Sequence, residues 1–331
     1  MKTIEVEHTG GPEVLHMRDV SGLEPPGPGQ ALVRVLAAGV NFLDIGQRRG
    51  SYPRQVPFTP GMEGAGIVES IGDDSNVVAP SSRVVFADQP GAYAEASLVS
   101  ADRLIPLPDD FTFEEGAAFP LQGMTAHYLI HEFRKPVRGD VVLIHAAAGG
   151  VGQMLVQWAH HLGAYVIGTV SSEEKAQVVR DDGANEVIIY TKKNFAQEVN
   201  RLTNNHGADL ILDGVGKSTF RRNLEAVAIR GHIVIFGSSS GPSDQIEPNE
   251  LMAKDITVSG GSLGKFISTR QEMLRRASDV IKAMREGWLK LHIDCVLPLD
   301  QAEEAHRLLE SRKSKGKIVL VNTAGEKSAP F

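Results

Sequence analysis

Hydrophobic and polar positions follow two different rhythms along this chain of 331 residues. Up to about residue 120, short alternating or β-branched runs such as Ala31–Leu36 and Arg83–Phe86 are separated by turns rich in Pro and Gly, as at Pro25–Gly29. Alternation with a period of two indicates half-buried strands, and such turns are typical of antiparallel hairpins. This part of the chain is therefore predicted to form an antiparallel, barrel-like β domain.

After residue 120 the rhythm changes to apolar strands that alternate with amphipathic helices. This pattern predicts a parallel sheet covered on both faces. Strands are expected at Val141–Ile144, Ala164–Val170, Glu186–Ile189, Leu210–Asp213, His232–Phe236 and Ile256–Val258, and helices at Val151–Leu162, Glu173–Asp181 and Ser218–Ala228. Helices at 269–286 and 301–311 and a strand at Lys317–Val321 are expected to return to the first domain, which makes it discontinuous.

Composition and charge exclude several classes of function. The chain has 34 basic and 41 acidic residues, a formal net charge of -7, which gives no electrostatic reason to expect a nucleic acid or an anionic membrane as partner. The single cysteine, Cys295, cannot form an intrachain disulfide or a thiolate metal site. Residues Met1–Val6 lack the features of a signal peptide, and no stretch approaches about 18 uninterrupted apolar residues. The sequence therefore predicts a cytoplasmic protein.

The strongest chemical signal is the segment His145–Gly152, which lies between an apolar strand and an amphipathic helix. Read as Ala147-x-Gly149-x-x-Gly152, it is a variant of the dinucleotide-binding fingerprint, in which small residues let the backbone approach a pyrophosphate. The helix N-terminus then offers unpaired N–H groups to the phosphates. The alternative is a glycine-rich turn that binds nothing, and the neighbouring strand–helix units disfavour it.

The choice of nicotinamide cofactor depends on the end of the second strand of this unit. An NAD site needs a carboxylate there for the ribose hydroxyls, whereas this strand ends at Val170 and is followed by Ser171 and Ser172. Lys175 follows one turn later and would suit a 2′-phosphate, although it would otherwise be an ordinary solvated helix lysine. NADPH is therefore the expected cofactor.

With these motifs in this order, the chain resembles the zinc-independent quinone oxidoreductases of the medium-chain dehydrogenase/reductase superfamily over residues 1–325. Besides the fingerprint, the resemblance is carried by Ala37–Asp44, Pro60–Val68, Gly91–Glu95, Gln122–Ala126 and Glu310–Arg312. It implies an α/β protein with a Rossmann-type parallel sheet domain and a discontinuous GroES-like β-barrel catalytic domain. The implied segments are the first part of the catalytic domain at 1–121, the dinucleotide-binding domain at 122–262, the return to the catalytic domain at 263–325, and a disordered tail at 326–331.

The resemblance also implies catalysis without a metal. Metal-dependent relatives place a zinc-ligand Cys where this chain has Val40 or Asn41, and a ligand His where it has Met62. With Cys295 as the single cysteine, neither the catalytic nor the structural zinc set can be assembled.

In this family, residues matching Asn41 and Thr125 lie beside the cofactor, and Tyr52 is expected at the substrate mouth. These three are the implied catalytic residues, with Asn41 and Tyr52 donating hydrogen bonds to the acceptor oxygen. The implied cofactor-binding residues are Asn41, Gln122, Thr125, Ala148, Gly149, Gly150, Val151, Ser171, Lys175, Tyr190, Gly216, Phe236, Gly237, Ser238, Ser239, Gly261, Ser262, Leu263 and Arg312. Of these, Ser171, Lys175, Tyr190 and Arg312 are expected around the 2′-phosphate.

The implied activity is transfer of a hydride from NADPH to a quinone. One alternative is an NADPH-dependent reductase of conjugated alkenes (enones, enals or enoyl thioesters), for which Arg48, Arg49 and Arg54 would form a basic entrance. The other is a non-catalytic NADPH-binding or moonlighting protein. No motif places a general acid, so water is expected to deliver the proton. The expected partners are a small-molecule acceptor and a second copy of the chain, paired through the edge strand near Ile256–Ser259.

Overall fold

A computed structural model describes residues 1–72 and 77–322, and these residues form two compact units. The first unit contains residues 1–121, 268–277 and the described residues from Leu291 onward. The second contains residues 122–267 and 278–290. The stretch 278–290, expected in the catalytic domain, thus groups with the second unit, where Val280 packs so closely on Gly123 that a Cβ there would lie 2.7 Å from its Cγ1. The tail expected at 326–331 lies outside the described residues.

Strands and α-helices are numbered in chain order within the described residues. The strands are β1 (Lys2–Glu5), β2 (His16–Asp19), β3 (Gln30–Val40), β4 (Glu63–Ile71), β5 (Arg83–Ala87), β6 (Ala96–Ser100), β7 (Ile105–Pro106), β8 (Val141–Ile144), β9 (Tyr165–Val170), β10 (Glu186–Ile189), β11 (Ala208–Asp213), β12 (Val227–Ile235), β13 (Thr257–Gly260), β14 (Ile293–Pro298) and β15 (Lys317–Val321). The helices are α1 (Phe42–Arg49), α2 (Phe113–Ala118), α3 (Pro120–His131), α4 (Gly150–His161), α5 (Glu173–Asp181), α6 (Phe195–Leu202), α7 (Phe220–Ala226), α8 (Leu263–Phe266), α9 (Arg270–Arg285) and α10 (Ala302–Glu310).

The first unit is built around the long strand β3. Its strands run in the order β14-β15-β3-β4-β5-β7, β6 also pairs with β3, and β1 and β2 form a separate hairpin. Alternate side chains of β3, including Ala31, Val33 and Val35, are buried in the core, as the period-two pattern predicts. Strand β14, which the sequence analysis did not identify, pairs in parallel with β15. The sheet is therefore antiparallel except at that edge.

The second unit has a six-stranded parallel sheet in the order β10-β9-β8-β11-β12-β13. Its central strands are apolar throughout because both faces are covered, and Leu143, Ile167, Ile211 and Ile233 are fully buried. Strand order reverses between β8 and β11. In such sheets, ligands bind at the carboxyl ends of the strands next to this reversal.

Two local predictions in this unit need correction. The helix expected at 218–228 ends at Ala226, because Val227 already pairs with Ala208 of β11. Helix α6 was not predicted, although Asn194 caps it by accepting a hydrogen bond from the Ala196 N–H at 3.0 Å. No helix within residues 1–72 and 77–322 is long and apolar enough to cross a membrane.

Candidate active site

The loop between β8 and α4 has the geometry of a phosphate-binding turn. The Ala147 N–H bonds the Thr169 carbonyl at 3.1 Å and the Gly149 N–H bonds the Ala146 carbonyl at 2.9 Å, which holds the turn against β9. The first N–H groups of any α-helix have no intrahelical acceptor. In α4 the N-cap residue is Gly149, which has no side chain to accept a hydrogen bond from them. A Cβ on Gly152 would overlap the Ala146 carbonyl and lie 2.8 Å from the Ala147 Cα. The loop thus keeps bare backbone where a pyrophosphate would bind.

Helix α3 supplies two predicted site residues beside this loop. A Cβ on Gly150 would overlap the side-chain amide of Gln122, so this amide lies directly over the start of α4. Gln122 is buried, and its Oε1 has no hydrogen-bond partner among the described residues. Thr125 follows three positions later and therefore lies on the same face of α3. The structure thus brings Gln122 to the phosphate loop and places Thr125 next to it along the helix.

Three of the residues expected around a 2′-phosphate lie at neighbouring strand ends. The Tyr190 N–H bonds the Val170 carbonyl at 3.0 Å, and the Thr191 Oγ1 donates to the Ser171 carbonyl at 3.0 Å. Helix α5 begins next to them, where the Ser172 hydroxyl accepts from the Lys175 N–H at 3.4 Å. No carboxylate ends β9, as the sequence analysis noted. The fourth residue, Arg312, belongs to the first unit, with a left-handed φ of 58° after α10.

The turn that follows β11 is held by Asp213, which the sequence analysis recognised only as part of a strand. Its carboxylate accepts hydrogen bonds from the Val215 and Gly216 N–H groups at 2.7 and 3.1 Å and from Thr219 and Asn223 at 2.7 and 2.6 Å. Phe236, Gly237, Ser238 and Ser239 follow β12, and the Ser239 N–H bonds the Gly214 carbonyl at 3.2 Å. The carboxylate therefore fixes the predicted residue Gly216 beside this segment.

Two other predicted elements of the second unit have structural roles. His145 is fully buried between Thr169 and Asn223, at 2.9 and 2.8 Å, and burial lowers its pKa. Gly261, which precedes Ser262 and Leu263, bonds the Ile235 carbonyl through its N–H at 3.1 Å. A Cβ on Gly261 would lie 2.9 Å from the rings of Phe133 and Tyr128, so only glycine fits there without rearrangement.

In the first unit, Asn41 is the centre of a buried polar cluster with Glu63 and Lys317. The Asn41 Nδ2 donates to Glu63 Oε1 at 2.8 Å and to the Gly39 carbonyl at 3.3 Å, and its Oδ1 accepts from Lys317 Nζ at 2.8 Å. Lys317 also forms a salt bridge with Glu63, and both side chains are fully buried. The amide of Asn41 is thus committed to partners inside the unit, whereas the sequence analysis expected it to donate to the acceptor.

A second buried chain of hydrogen bonds ends at Asp44. The Tyr93 hydroxyl lies 3.1 Å from Asp44 Oδ2 and 3.2 Å from His306 Nε2, and His306 Nδ1 lies 3.5 Å from the Arg48 guanidinium, which pairs with Glu310. Because arginine can only donate, His306 Nδ1 is the acceptor, its Nε2–H donates to Tyr93, and Tyr93 donates to Asp44. Burial raises the pKa of Asp44 to about 7 and lowers the pKa of His306 to about 3.

These two pKa shifts predict opposite effects of pH on stability. The folded state takes up a proton at Asp44 between about pH 4 and 7, so this contribution to stability is lost as pH rises. The folded state excludes a proton from His306 between about pH 3 and 6.5, so this contribution is lost as pH falls. The two slopes nearly cancel between pH 4 and 6.5. Relative to the unmodified protein, Asp44→Asn should make stability rise with pH, and His306→Gln should make it fall, by about 1 kcal/mol per pH unit.

Denaturant unfolding of the two variants between pH 4.5 and 6.5 measures these slopes, within the window that the shifts define. The double variant serves as the control, since it should restore the shallow profile. Parallel profiles for all the proteins would contradict the assignment.

Tyr52 and Arg54 follow helix α1. A Cβ on Gly46 would overlap the Tyr52 ring, and the Tyr52 N–H bonds the Gly46 carbonyl at 3.1 Å, so this glycine makes room for the tyrosine. The Nη1 atom of Arg54 lies 3.7 Å from Met62 Sδ, and its Cζ lies 5.4 Å from the centre of the Phe58 ring. Arg48, in contrast, is fully buried against Glu310 and cannot be part of a basic entrance.

Comparisons with known proteins agree with this geometry. An alcohol dehydrogenase GroES-like domain matches residues 27–109, and a zinc-binding dehydrogenase domain matches residues 150–279. The chain is 38% identical to a quinone oxidoreductase of Pseudomonas aeruginosa over 97% of this chain and 99% of that protein. The chain belongs to the quinone oxidoreductase family.

Other members of the family show its range. The chain is 37% identical to a 2-haloacrylate reductase of a Burkholderia species, over 96% of this chain and 98% of that protein. The structure of the Escherichia coli quinone oxidoreductase complexed with NADPH superimposes on this chain with a TM-score of 0.94 at 34% sequence identity. The superposition covers 97% of this chain and 100% of that one.

The donor atoms at the zinc-ligand positions of metal-dependent relatives do not fit a zinc ion in this family member. The Asn41 Oδ1 accepts a hydrogen bond from the Lys317 ammonium, and the Met62 Sδ lies beside the Arg54 guanidinium. A cation at each of these atoms opposes binding of Zn²⁺, which also prefers His nitrogen and Cys sulfur. Within residues 1–72 and 77–322, no group of three His, Cys, Asp or Glu side chains could hold a metal ion.

Proposed function

We propose that this protein is an NADPH-dependent oxidoreductase that transfers a hydride to a quinone. The observation that carries the proposal is the bare N-terminus of α4, where a Cβ on Gly152 would overlap backbone atoms of the preceding loop and a Cβ on Gly150 would overlap the side-chain amide of Gln122. Its position at the strand-order reversal of the parallel sheet is where dinucleotides bind in this fold. The quinone oxidoreductases among its relatives support a quinone as the acceptor.

The proposed cofactor site follows the second unit from one strand end to the next. The backbone of Ala148–Val151 would bind the pyrophosphate, and Ser171, Lys175 and Tyr190 would surround the 2′-phosphate. Gln122 and Thr125 would orient the nicotinamide end together with Gly261, Ser262 and Leu263. Phe236–Ser239 and Gly216 would line the cleft between the 2′-phosphate site and the nicotinamide site.

When bound, the reduced nicotinamide supplies the hydride, and the protein must align the acceptor and exclude water. We propose that the Tyr52 hydroxyl donates a hydrogen bond to the acceptor oxygen. The role of Asn41 follows from its contacts: held by Lys317 and Glu63, its backbone N–H binds Asp44 at 2.8 Å and starts helix α1, which carries Gly46 under the Tyr52 ring. Water delivers the proton to the reduced acceptor.

A single cuvette experiment tests this function. NADPH and NADH are titrated into the purified protein, and 1,4-naphthoquinone and then an enone are added while nicotinamide absorbance is followed. We expect tight binding of NADPH and its oxidation on addition of the quinone. Oxidation by the enone alone would favour the alkene reductase, and binding without oxidation by either acceptor would favour a non-catalytic role.

The preference for NADPH is expected to depend on Lys175. Replacing Lys175 by Met removes one cation from the proposed 2′-phosphate site, so the KM for NADPH should rise about tenfold while the KM for NADH stays within about twofold. Lys282→Met is the matched control, since Lys282 is exposed on α9 and pairs with Glu286 at 3.8 Å. An equal change in the KM for NADPH and for NADH would show that Lys175 does not bind the 2′-phosphate.

A second candidate function is reduction of conjugated alkenes. The observation that favours it is the 37% identity to a 2-haloacrylate reductase over nearly the whole chain. Hydride transfer to a conjugated alkene needs the same cofactor geometry as transfer to a quinone. The two functions therefore differ in the acceptor and in the groups that bind it.

We also infer that the active protein is a homodimer joined through β13. This strand is at one edge of the six-stranded sheet, and Thr257 and Gly260 are exposed. An unpaired edge can extend its hydrogen bonding into a second copy.

The net charge of -7 supports a small molecule rather than a nucleic acid as the partner of this protein. The one free cysteine supports a reducing, cytoplasmic environment.

A further inference from the structure

Arg54 stands apart from the other arginines near helix α1. Arg48 and Arg49 both pair with Glu310, the latter at 3.1 Å. Arg54 forms no salt bridge with any described residue, and the hydrogen bond it donates is the weak one from Nη1 to Met62 Sδ, at 3.7 Å. A guanidinium has five N–H donors in a planar fork. Most of the donors of Arg54 are therefore without a protein acceptor in the part of the chain that the structure describes.

The surroundings of Arg54 favour pairing with an anionic ligand. The side chain is half-buried, lies over the Phe58 ring with Cζ 5.4 Å from its centre, and contacts the thioether of Met62, which is itself buried. Loss of solvent lowers the pKa of Arg54. A partly desolvated cation over apolar groups is stabilised when an anion pairs with it, and carboxylates match the guanidinium fork with two parallel hydrogen bonds.

Asp44 does not serve as that anion. Its charge acts on Arg54 through space, but no salt bridge links the two. Asp44 Oδ2 instead accepts from the Asn41 N–H at 2.8 Å and from Tyr93 at 3.1 Å. The Asp44 carboxylate thus caps helix α1 and ends the buried series of hydrogen bonds. The guanidinium of Arg54 remains available to bind a ligand.

We infer that Arg54 binds the carboxylate of the acceptor, so that the favoured substrates are conjugated alkenes and quinones that carry a carboxylate next to the reducible bond. The inference rests on the proposed function, whose acceptor it specifies. Arg54 follows Tyr52, the proposed hydrogen-bond donor to the acceptor oxygen, by two residues, and its guanidinium lies beside Met62. It therefore belongs to the segment to which the proposed function assigns the acceptor.

In the reduction of an unsaturated acid, the β-carbon gains a hydride from NADPH, which is oxidised to NADP⁺. The π electrons of the C=C bond move onto the carboxylate. The α-carbon then takes a proton from water, and the products are the saturated carboxylate and a hydroxide ion. The additional negative charge develops on the oxygens that Arg54 holds, so the guanidinium stabilises the transition state more than the ground state.

The test compares 1,4-naphthoquinone with 1,4-naphthoquinone-2-carboxylate in the full-length protein with NADPH. In Arg54→Met we expect the KM for the carboxylate to rise about tenfold or more, while kcat/KM for the neutral quinone stays within about twofold. Arg54→Lys should retain part of the preference, because it keeps the charge and loses the fork. Arg18→Met removes the same charge from the exposed strand β2, where Arg18 pairs with Glu7 at 2.6 Å, and should change neither value.

Each other result overturns the inference. An equal loss for both quinones in Arg54→Met would assign Arg54 a structural role, and no loss for either would remove it from the site. If the unmodified protein reduces neither quinone, the proposed function fails, and calorimetric binding of the unreactive anion 2-naphthoate still decides the role of Arg54. Binding that is weakened in Arg54→Met and kept in Arg18→Met supports a carboxylate subsite, and unchanged binding rules it out.

Discussion

Replacing Lys317 by Met is expected to lower the free energy of unfolding by about 3–5 kcal/mol. Lys317 is fully buried at the start of β15, where its ammonium contacts Glu63 and donates to Asn41 Oδ1 at 2.8 Å. Without this cation, the Glu63 carboxylate stays buried with the Asn41 Nδ2 and the Leu121 N–H as donors, both at 2.8 Å. Two neutral donors do not compensate a buried negative charge. The desolvation cost of the carboxylate, which the ammonium offsets in the ion pair, therefore lowers the free energy of unfolding.

A double-mutant cycle separates the unpaired charge from loss of packing. Glu63→Gln removes the charge and keeps the size, and the double variant Glu63→Gln with Lys317→Met should recover at least half of the stability lost in Lys317→Met. Urea unfolding of the four proteins gives the coupling energy. Additive losses would mean that Lys317 acts through its methylene groups, and a stable Lys317→Met variant would show that the buried ion pair does not contribute this stability.

The cluster around Asn41 shows why part of the site could not be predicted from the sequence. Asn41, Glu63 and Lys317 are far apart along the chain, and Lys317 looks like the polar start of an apolar strand, Lys317–Val321. The contact depends on β3 pairing with both β4 and β15, which only the sheet determines. Arg48 likewise looks like one of several solvated arginines, and its burial depends on Glu310 and His306 of α10.

The cofactor-binding unit was easier to predict because its signals are local. The strand, the glycine-rich turn and the amphipathic helix follow one another within residues 141–161, and β8, α5 and β10 have the predicted bounds. The elements that were missed, such as α6 and β14, have their apolar residues in short runs between polar ones, so their burial depends on distant partners. Periodicity therefore identified the parallel sheet better than the first unit.

The second large effect is expected at Gly152, where the local signal and the three-dimensional structure agree. A Cβ there would overlap the Ala146 carbonyl and lie 2.8 Å from both the Cα and the carbonyl oxygen of Ala147. These are backbone atoms of the phosphate loop, so Gly152→Ala must move the loop away from α4 and withdraw N–H groups from the pyrophosphate. We expect NADPH to bind about 100-fold more weakly, since several charge-assisted hydrogen bonds are lost together.

Comparison with two other glycines makes this prediction specific. Gly150→Ala would meet only the flexible end of the Gln122 side chain, which can turn away, so a loss of about tenfold is expected. Gly22→Ala, in open space, should leave affinity unchanged. Fluorescence titration with NADPH gives the dissociation constants, and thermal melting without the cofactor shows whether each variant is folded. If a folded Gly152→Ala variant binds NADPH as tightly as the Gly22→Ala control, the pyrophosphate does not bind at the start of α4, and the proposed cofactor site is wrong.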